Sequence, residues 1–466
     1  MRKEKDMLGE MLIPDEAYYG IHTARALENF PITGRHIHNE LIKALVLVKK
    51  AAAITNAEVG LLDKDKSNAI IEACNEILSG SLMDQFVVDP LQGGAGTSAN
   101  MNVNEVIANR AIELLGGKKG DYNIIEPLDH VNMSQSTNDV FPTAVRIAAI
   151  KMLKPVSQLF SELQTALQEK EEEFSSVLKV GRTQLQDAVP VMLGQEFGAW
   201  AQAISRDRWR IYKVEERLRQ VNIGGTAVGT GINADRKYIF LMVERLRELT
   251  GIGLARAEYM MDPTQNNDVF VEVSGLLKTS CVNLSKIAND LRLMASGPRA
   301  GFGEISLPSV QAGSSIMPGK VNPVIPEAIN QIAFQVMGND MTITMAAQSG
   351  QLELNAFLPV IAHNLFEILD ILRNGIELFI HKCIKGIKAN RDRCREMVEE
   401  SYVQAPALIR HVGYNEASSL AKECVEENRS LRTVILEKKI MDSKTIDRIL
   451  NPLELTKPGI PGIEKE

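Results

Sequence analysis

Apolar residues recur along this chain at helical spacing over long stretches. From Val156 they fall at Leu159, Phe160, Leu163, Ala166 and Leu167, then at Phe174, Val177 and Leu178. That spacing predicts one long helix with a single buried stripe. Val269, Val273, Leu276, Leu277, Cys281, Leu284, Ile287, Ala288, Leu291 and Met294 form a second stripe, stopped by Gly297 and Pro298. Ile204, Ile211, Val214, Leu218 and Val221 keep the same period, and a fourth stretch runs from Pro323 towards Gly350. Helices of this length exceed the average of about 11 residues and pack side by side in bundles. The expected fold class is therefore all-α. Residues 1 to about 35 differ, broken by Gly9, Pro14, Gly20 and Pro31, and predict loops with a short strand pair. Beyond about residue 390 the periodic stretches become shorter and more charged, which predicts a small C-terminal domain.

Four polar segments interrupt the pattern: Gly93 to Ser98, Ser134 to Asp139, Gly181 to Asp187, and Gly313 to Pro323. At least three are expected at helix starts, with Asn322 as an N-cap and Pro323 in the first helical position. Helix starts leave backbone N–H groups unpaired and carry partial positive charge, so they suit carboxylates. Each segment taken alone is equally a cap or a turn, because Ser, Thr, Asn and Gly favour both. The fourth fits that reading least. Ser314, Ser315 and Lys320 sit there with Gly313 and Gly319, as a loop with reactive side chains.

Composition narrows the choices. The 466 residues suggest about three domains. Aromatics are 5% against 45% hydrophobic, which fits helix packing through aliphatic side chains. A net charge of -7 gives no basic surplus for nucleic acid or anionic lipid, so neither is an expected partner. The first 16 residues lack the apolar run of a signal peptide, and no apolar stretch has membrane-spanning length. The odd set of five cysteines, with no C-x-x-C pair, argues against a disulfide framework or zinc site and fits a cytoplasmic location. His36 and His38 lie close together but without metal-ligand company. Gly229, Gly231 and Ala234 resemble a damaged dinucleotide fingerprint, yet follow a helical pattern and not a strand.

The fourth segment, GSSIMPGKVNP, resembles the signature loop of the aspartase/fumarase superfamily. GGAGTSANMNVNEV, NMSQSTNDVFPTA, GRTQLQDAVPVMLGQEF and GGTAVGTGIN match too, in the superfamily's order and spacing, over nearly the whole chain. The resemblance implies a three-domain fold, with an N-terminal domain at 1–137, a central long-helix bundle at 138–392 and a small C-terminal helical domain at 393–466. It also implies a homotetramer with a multi-helix core and active sites shared between three subunits. Ser314 matches the general base that removes a proton from C3 of a dicarboxylate substrate, giving an enediolate. Thr97, Ser136, Thr137 and Ser315 match the hydroxyl donors to the charged β-carboxylate. Lys320 and Asn322, with Thr183 beside them, match the binders of the α-carboxylate, and Asn138 matches a residue near the leaving group. A serine base needs help to ionise, and Lys320 with the following helix start is expected to give it. No cofactor is implied. Divalent-metal activation, a property of some superfamily aspartases, has no readable motif here.

Within the superfamily the residues favour a carbon–nitrogen lyase, which would release ammonia from L-aspartate and leave fumarate. The first segment reads GGAGTS in place of a TGSGTQ-like form, Ser136 is followed by Thr137 in place of a second serine, and Gln184 stands where fumarases carry an active-site histidine. Glu327 matches that histidine's acidic partner. GGTAVGTG and NAFLPVIAHNL lean towards fumarase, which is the alternative, and a non-catalytic structural member is a third reading. Ala405 to Arg410 depart from the superfamily's usual run before His411-Val412-Gly413-Tyr414, which bears on rate and substrate range.

Overall fold

The computed structural model describes residues 1–427 and 429–463. A hairpin, β1 (Arg2–Asp6) and β2 (Gly9–Ile13), opens the chain in antiparallel register. Then come α1 (Ile21–Asn29), α2 (Asn39–Glu58), α3 (Lys64–Leu78), α4 (Thr97–Leu114) and the 37-residue α5 (Thr137–Glu173). A second antiparallel hairpin, β3 (Leu178–Thr183) and β4 (Gln186–Met192), precedes α6 (Leu193–Val214). Next are α7 (Arg236–Thr250), the single turn α8 (Asp262–Gln265), and the long helices α9 (Asp268–Met294), α10 (Val324–Gln348) and α11 (Leu358–Lys382). Six shorter helices between Arg391 and Leu455 end the described chain, the longest being 14 residues.

Three expectations about element ends need correction. The α5 stripe stops at Glu173, so Phe174 and Val177 lie beyond the helix and Leu178 opens β3. Their helical spacing continues by coincidence, because the chain beyond the helix also buries Phe174 and Val177 and half-buries Leu178. The stripe of α6 also ends early. Leu218 lies in a 3-10 turn (Glu215–Arg219) and Val221 in the two-residue strand Gln220–Val221, though both stay buried. Asn322 does not cap α10, since its side-chain amide donates instead to Gly313 O at 2.7 Å.

The chain forms two compact units whose boundaries fall inside α5, α6, α9, α10 and α11. The first holds residues 1–158, 209–281 and 334–373, and the second holds 159–208, 282–333 and 374–466. In the first unit α2 and α4 are buried nearly all round, so their apolar moment is weak and their polar residues must be paired inside. There Lys278 and Ser274 on α9 both reach Asp340 on α10. In the second unit Ala405, Leu408, Leu420, Val434, Ile446 and Ile449 make a separate small core under the C-terminal helices. All five cysteines are buried, and none is disulfide-bonded.

Candidate active site

The first unit carries Thr97, Ser136, Thr137 and Asn138. Gly94, Ala95 and Gly96 take φ of 81°, 57° and 98°, and this left-handed run turns the chain into α4 with Thr97 as its first residue. Gly96 is demanded twice over. Its φ disfavours other residues, and a Cβ there would lie 2.6 Å from the Phe141 ring. The starts of α4 and α5 therefore meet. Thr97 is exposed, and its hydroxyl donates to Gly94 O at 2.7 Å. Ser136, Thr137 and Asn138 are half-buried.

Asp139 holds this second helix start. Its carboxylate accepts from Ser136 N, Gly224 N and Thr226 N, each at 2.9 Å. Asn138 Nδ2 donates to Ala227 O at 2.7 Å, and Asn222 Nδ2 donates to Asn138 O at 3.0 Å. The glycine-rich segment at 224–233 thus braces α5 and is not a dinucleotide loop. Gly229 is required there because a Cβ would lie 2.4 Å from Met261 N. Burial pushes the Asp139 carboxyl up to about 6, against the pull of its three backbone donors and Lys49.

Behind Thr97 and Thr137 lies a buried polar cluster that apolar periodicity does not reveal. Lys49 on α2 is fully buried and donates to Asn132 Oδ1 at 2.8 Å and Gln135 Oε1 at 3.1 Å. Asn100 and Asn104, one turn apart on α4, both donate to Asn132 Oδ1, at 3.1 and 3.2 Å. Asn100 Nδ2 also reaches Thr137 Oγ1 at 3.1 Å. The available signal was asparagine at i and i+4 on the helix face that follows Thr97.

The second unit carries Thr183, Gln184, Ser314, Ser315, Lys320 and Asn322. Thr183 pairs with Gln186 at the end of the β3–β4 hairpin. Gln184 and Leu185 form its two-residue turn with φ of 55° and 62°, so the third polar segment is a hairpin tip and not a helix start. Thr183 and Gln184 are exposed there. Beneath them Glu304 is fully buried, with Arg182 at 2.6 Å and Lys179 at 3.1 Å. Lys179 also reaches Glu196 at 2.8 Å, and the Arg182 guanidinium stacks 4.1 Å from the Phe302 ring centre. A cleft of about 450 Å³ opens beside this group, with Leu185, Trp200, Leu293 and Phe302 in its wall.

The 313–323 loop is pinched at its neck. A Cβ on Gly313 would lie 2.1 Å from Lys320 O, and Asn322 closes the same neck. At the tip Ser314 Oγ accepts from Met317 N at 3.0 Å and Ile316 N at 3.3 Å. Donors to this oxygen favour an ionised form, so two backbone amides stand here beside the help expected of Lys320. Ser315 and Lys320 are exposed, and Ser314 and Asn322 half-buried. Glu327, on the first turn of α10, lies 3.9 Å from the Arg292 guanidinium. No group of three or more His, Cys, Asp or Glu side chains with metal-holding geometry occurs among the described residues, and no helix there is long and apolar enough to cross a membrane.

A family model described as Lyase matches residues 9–338, and one described as Fumarase C C-terminus matches 405–457, including the divergent 405–410 stretch. An aspartate ammonia-lyase of Bacillus sp is 54% identical over 462 residues, covering 99% of each chain. One of Helicobacter pylori (strain J99 / ATCC 700824) is 48% identical over 460 residues, covering 98% of each. Among solved structures, a fumarate lyase:delta crystallin from Brucella melitensis bound to cobalt superposes with a TM-score of 0.95 at 49% identity, covering 98% of this chain and 100% of that one. A class II fumarase from Schistosoma mansoni superposes at 0.92 with 34% identity, covering 98% and 99%. With its long helices, its serine loop and likeness along nearly its whole length, the chain belongs to the aspartase/fumarase superfamily of lyases.

Proposed function

We propose that this chain is an aspartate ammonia-lyase, which eliminates ammonia from L-aspartate to give fumarate and catalyses the reverse addition. The observation that carries the reading is the identity of 54% to an aspartate ammonia-lyase across 99% of both chains. Glu327 supports it at the site, because it faces Arg292 and the position of a fumarase histidine is held by Gln184.

The residues divide the work as follows. Ser314 Oγ, held by two backbone N–H groups, takes the proton from C3. The electron pair moves onto the β-carboxylate as an enediolate, which Thr97, Ser136, Thr137 and Ser315 stabilise by hydroxyl donation. Lys320 and Asn322, with Thr183, hold the α-carboxylate. Asn138 and Gln184 face the amino group. The C2–N bond then breaks, ammonia leaves, and the double bond of fumarate forms. The residues come from both units of the chain, and the reading places them in a cytoplasmic homotetramer whose sites draw on three subunits. Exposed Phe334, Met341 and Met345 on α10 and Val282 on α9 are apolar surface that such a helix core would cover. The reading needs no cofactor, and divalent metal would act as an activator.

The test is fumarate formation, followed by ultraviolet absorbance, from L-aspartate and from L-malate with the same purified protein. Release from aspartate alone is expected. Release from malate alone would make the chain a fumarase, and silence with both would leave a structural member. Ser314→Ala is expected to lower turnover by about 10²–10⁴-fold with little change in KM, the range for loss of a general base.

A further inference from the structure

Four buried or half-buried side chains behind the proposed carboxylate site form a chain of hydrogen bonds whose direction is forced. Lys49 donates through Nζ, and in its charged form, which the fold keeps up to about pH 7, it cannot accept. Lys49 Nζ lies 2.8 Å from the Asn132 side chain, so Asn132 must present its oxygen there. Asn132 Nδ2 then donates to Gln135 O at 3.2 Å. Asn100 faces the same Asn132 oxygen at 3.1 Å, so it must present its NH₂ end. That NH₂ also reaches Thr137 Oγ1 at 3.1 Å. Thr137 is therefore the acceptor in this bond, and its own hydroxyl hydrogen stays available.

The arrangement runs against the preference of the amides. Asn100 Oδ1 and Asn104 Oδ1 are buried and face no protein donor, a costly state for a carbonyl. Turning either amide would place oxygen against oxygen at Asn132. Lys49 thus holds both amides in an orientation that leaves them short of partners. Thr97 shows the contrast, because its hydroxyl donates to Gly94 O at 2.7 Å and must turn away from it to reach a carboxylate.

We propose that Asn100, oriented by Lys49 through Asn132, is a positioning residue that fixes the Thr137 hydroxyl as a hydrogen-bond donor to the substrate's β-carboxylate. The proposal rests on the reading of the site as one for a four-carbon dicarboxylate. Its chemistry is preorganisation: a donor already aimed at the enediolate need not turn as charge develops. Asn100 touches no substrate and acts only through Thr137.

Asn100→Asp tests it with nearly the same shape. A carboxylate beside Thr137 Oγ1 accepts, so the threonine hydrogen turns inward and is lost to the ligand. The readouts are succinate affinity by calorimetry and kcat and KM for L-aspartate, with a melting curve for each variant. Thr137→Val should lower kcat/KM by roughly 10²-fold, as for removal of one oxyanion donor. Asn100→Asp should lower it by a similar factor and weaken succinate binding. The double variant should be no worse than Thr137→Val by more than about threefold, because both changes remove one interaction. Should Asn100→Asp fail to fold, Asn100→Ser removes the amide without adding charge, and its cycle with Thr137→Val reads the same coupling. Multiplying effects in the cycle, or a folded Asn100 variant with unchanged succinate affinity and kcat/KM, would overturn the proposal. A wild-type protein that binds succinate but forms no fumarate from aspartate would sink the functional reading alone, since the succinate cycle still reports on Asn100.

Discussion

Lys49 places an ammonium where water does not reach it. Burial pulls its ionisation down to about 7, with Asp139 opposing, while burial pushes Asp139 up to about 6. The two shifts act on stability with opposite signs. Between about 7 and its ordinary 10.5, Lys49 is protonated in the unfolded chain but neutral in the fold. Stability from this group therefore rises with pH across that window and is lost as pH falls through about 7. Asp139 is the reverse: between 3.8 and about 6 the fold holds a proton that the unfolded chain has released, so its contribution falls as pH rises. The native state bears the cost of both buried charges near pH 6 to 7. Lys49→Met should remove the alkaline gain. In urea titrations at pH 7 and pH 9, the wild type should gain on the order of 2 kcal/mol relative to the variant. Equal pH dependence in the two proteins would mean that Lys49 ionises alike in both states. The same residue orients Asn132 and Asn100, so the pH term and the polarity of the carboxylate site share one source.

At the scale of elements, the start of α4 carries a double local constraint, one of φ and one of space. Gly96→Ala would set a side chain at φ of 98° and drive its Cβ to 2.6 Å from the Phe141 ring. Unfavourable φ and overpacking together should cost about 2–4 kcal/mol. Separating the α4 and α5 starts should also weaken succinate binding, so denaturation midpoint and affinity should fall together. A variant with native stability would show that Phe141 moves freely. The long helices were legible because their stripes are aliphatic and regular. The β3–β4 hairpin was not, for two physical reasons. Phe174, Val177 and Leu178 continue the helical period past Glu173, and the turn residues Gln184 and Leu185 lack the glycine or asparagine that usually marks a left-handed two-residue turn. The serine loop was legible as chemistry, but its internal support was not, since the donors to Ser314 Oγ are backbone amides that carry no residue signature. The inner polar layer escaped because Lys49, Asn100 and Asn104 occupy positions that apolar periodicity reads as core.

At the scale of the whole molecule, the proposed tetramer makes a prediction that composition and fold alone would not. Thr137 belongs to one compact unit of the chain and Ser314 to the other. In the proposed assembly the two residues of a single active site come from different subunits. Ser314→Ala and Thr137→Val, each nearly inactive alone, should then complement one another. Unfolded together in equal amounts and refolded, they would mix at random within closed tetramers. A site regains both residues when the chain supplying Ser314 carries the Thr137 change and the chain supplying Thr137 carries the Ser314 change. Each condition holds for half of the chains, so about one quarter of the sites should be restored. Either variant refolded alone should stay inactive, and sedimentation should report four chains. If both residues of a site came from one chain, no mixture could place two intact partners together. Activity would then remain at the level of the separate variants, and the shared site would be ruled out even if the particle were a tetramer.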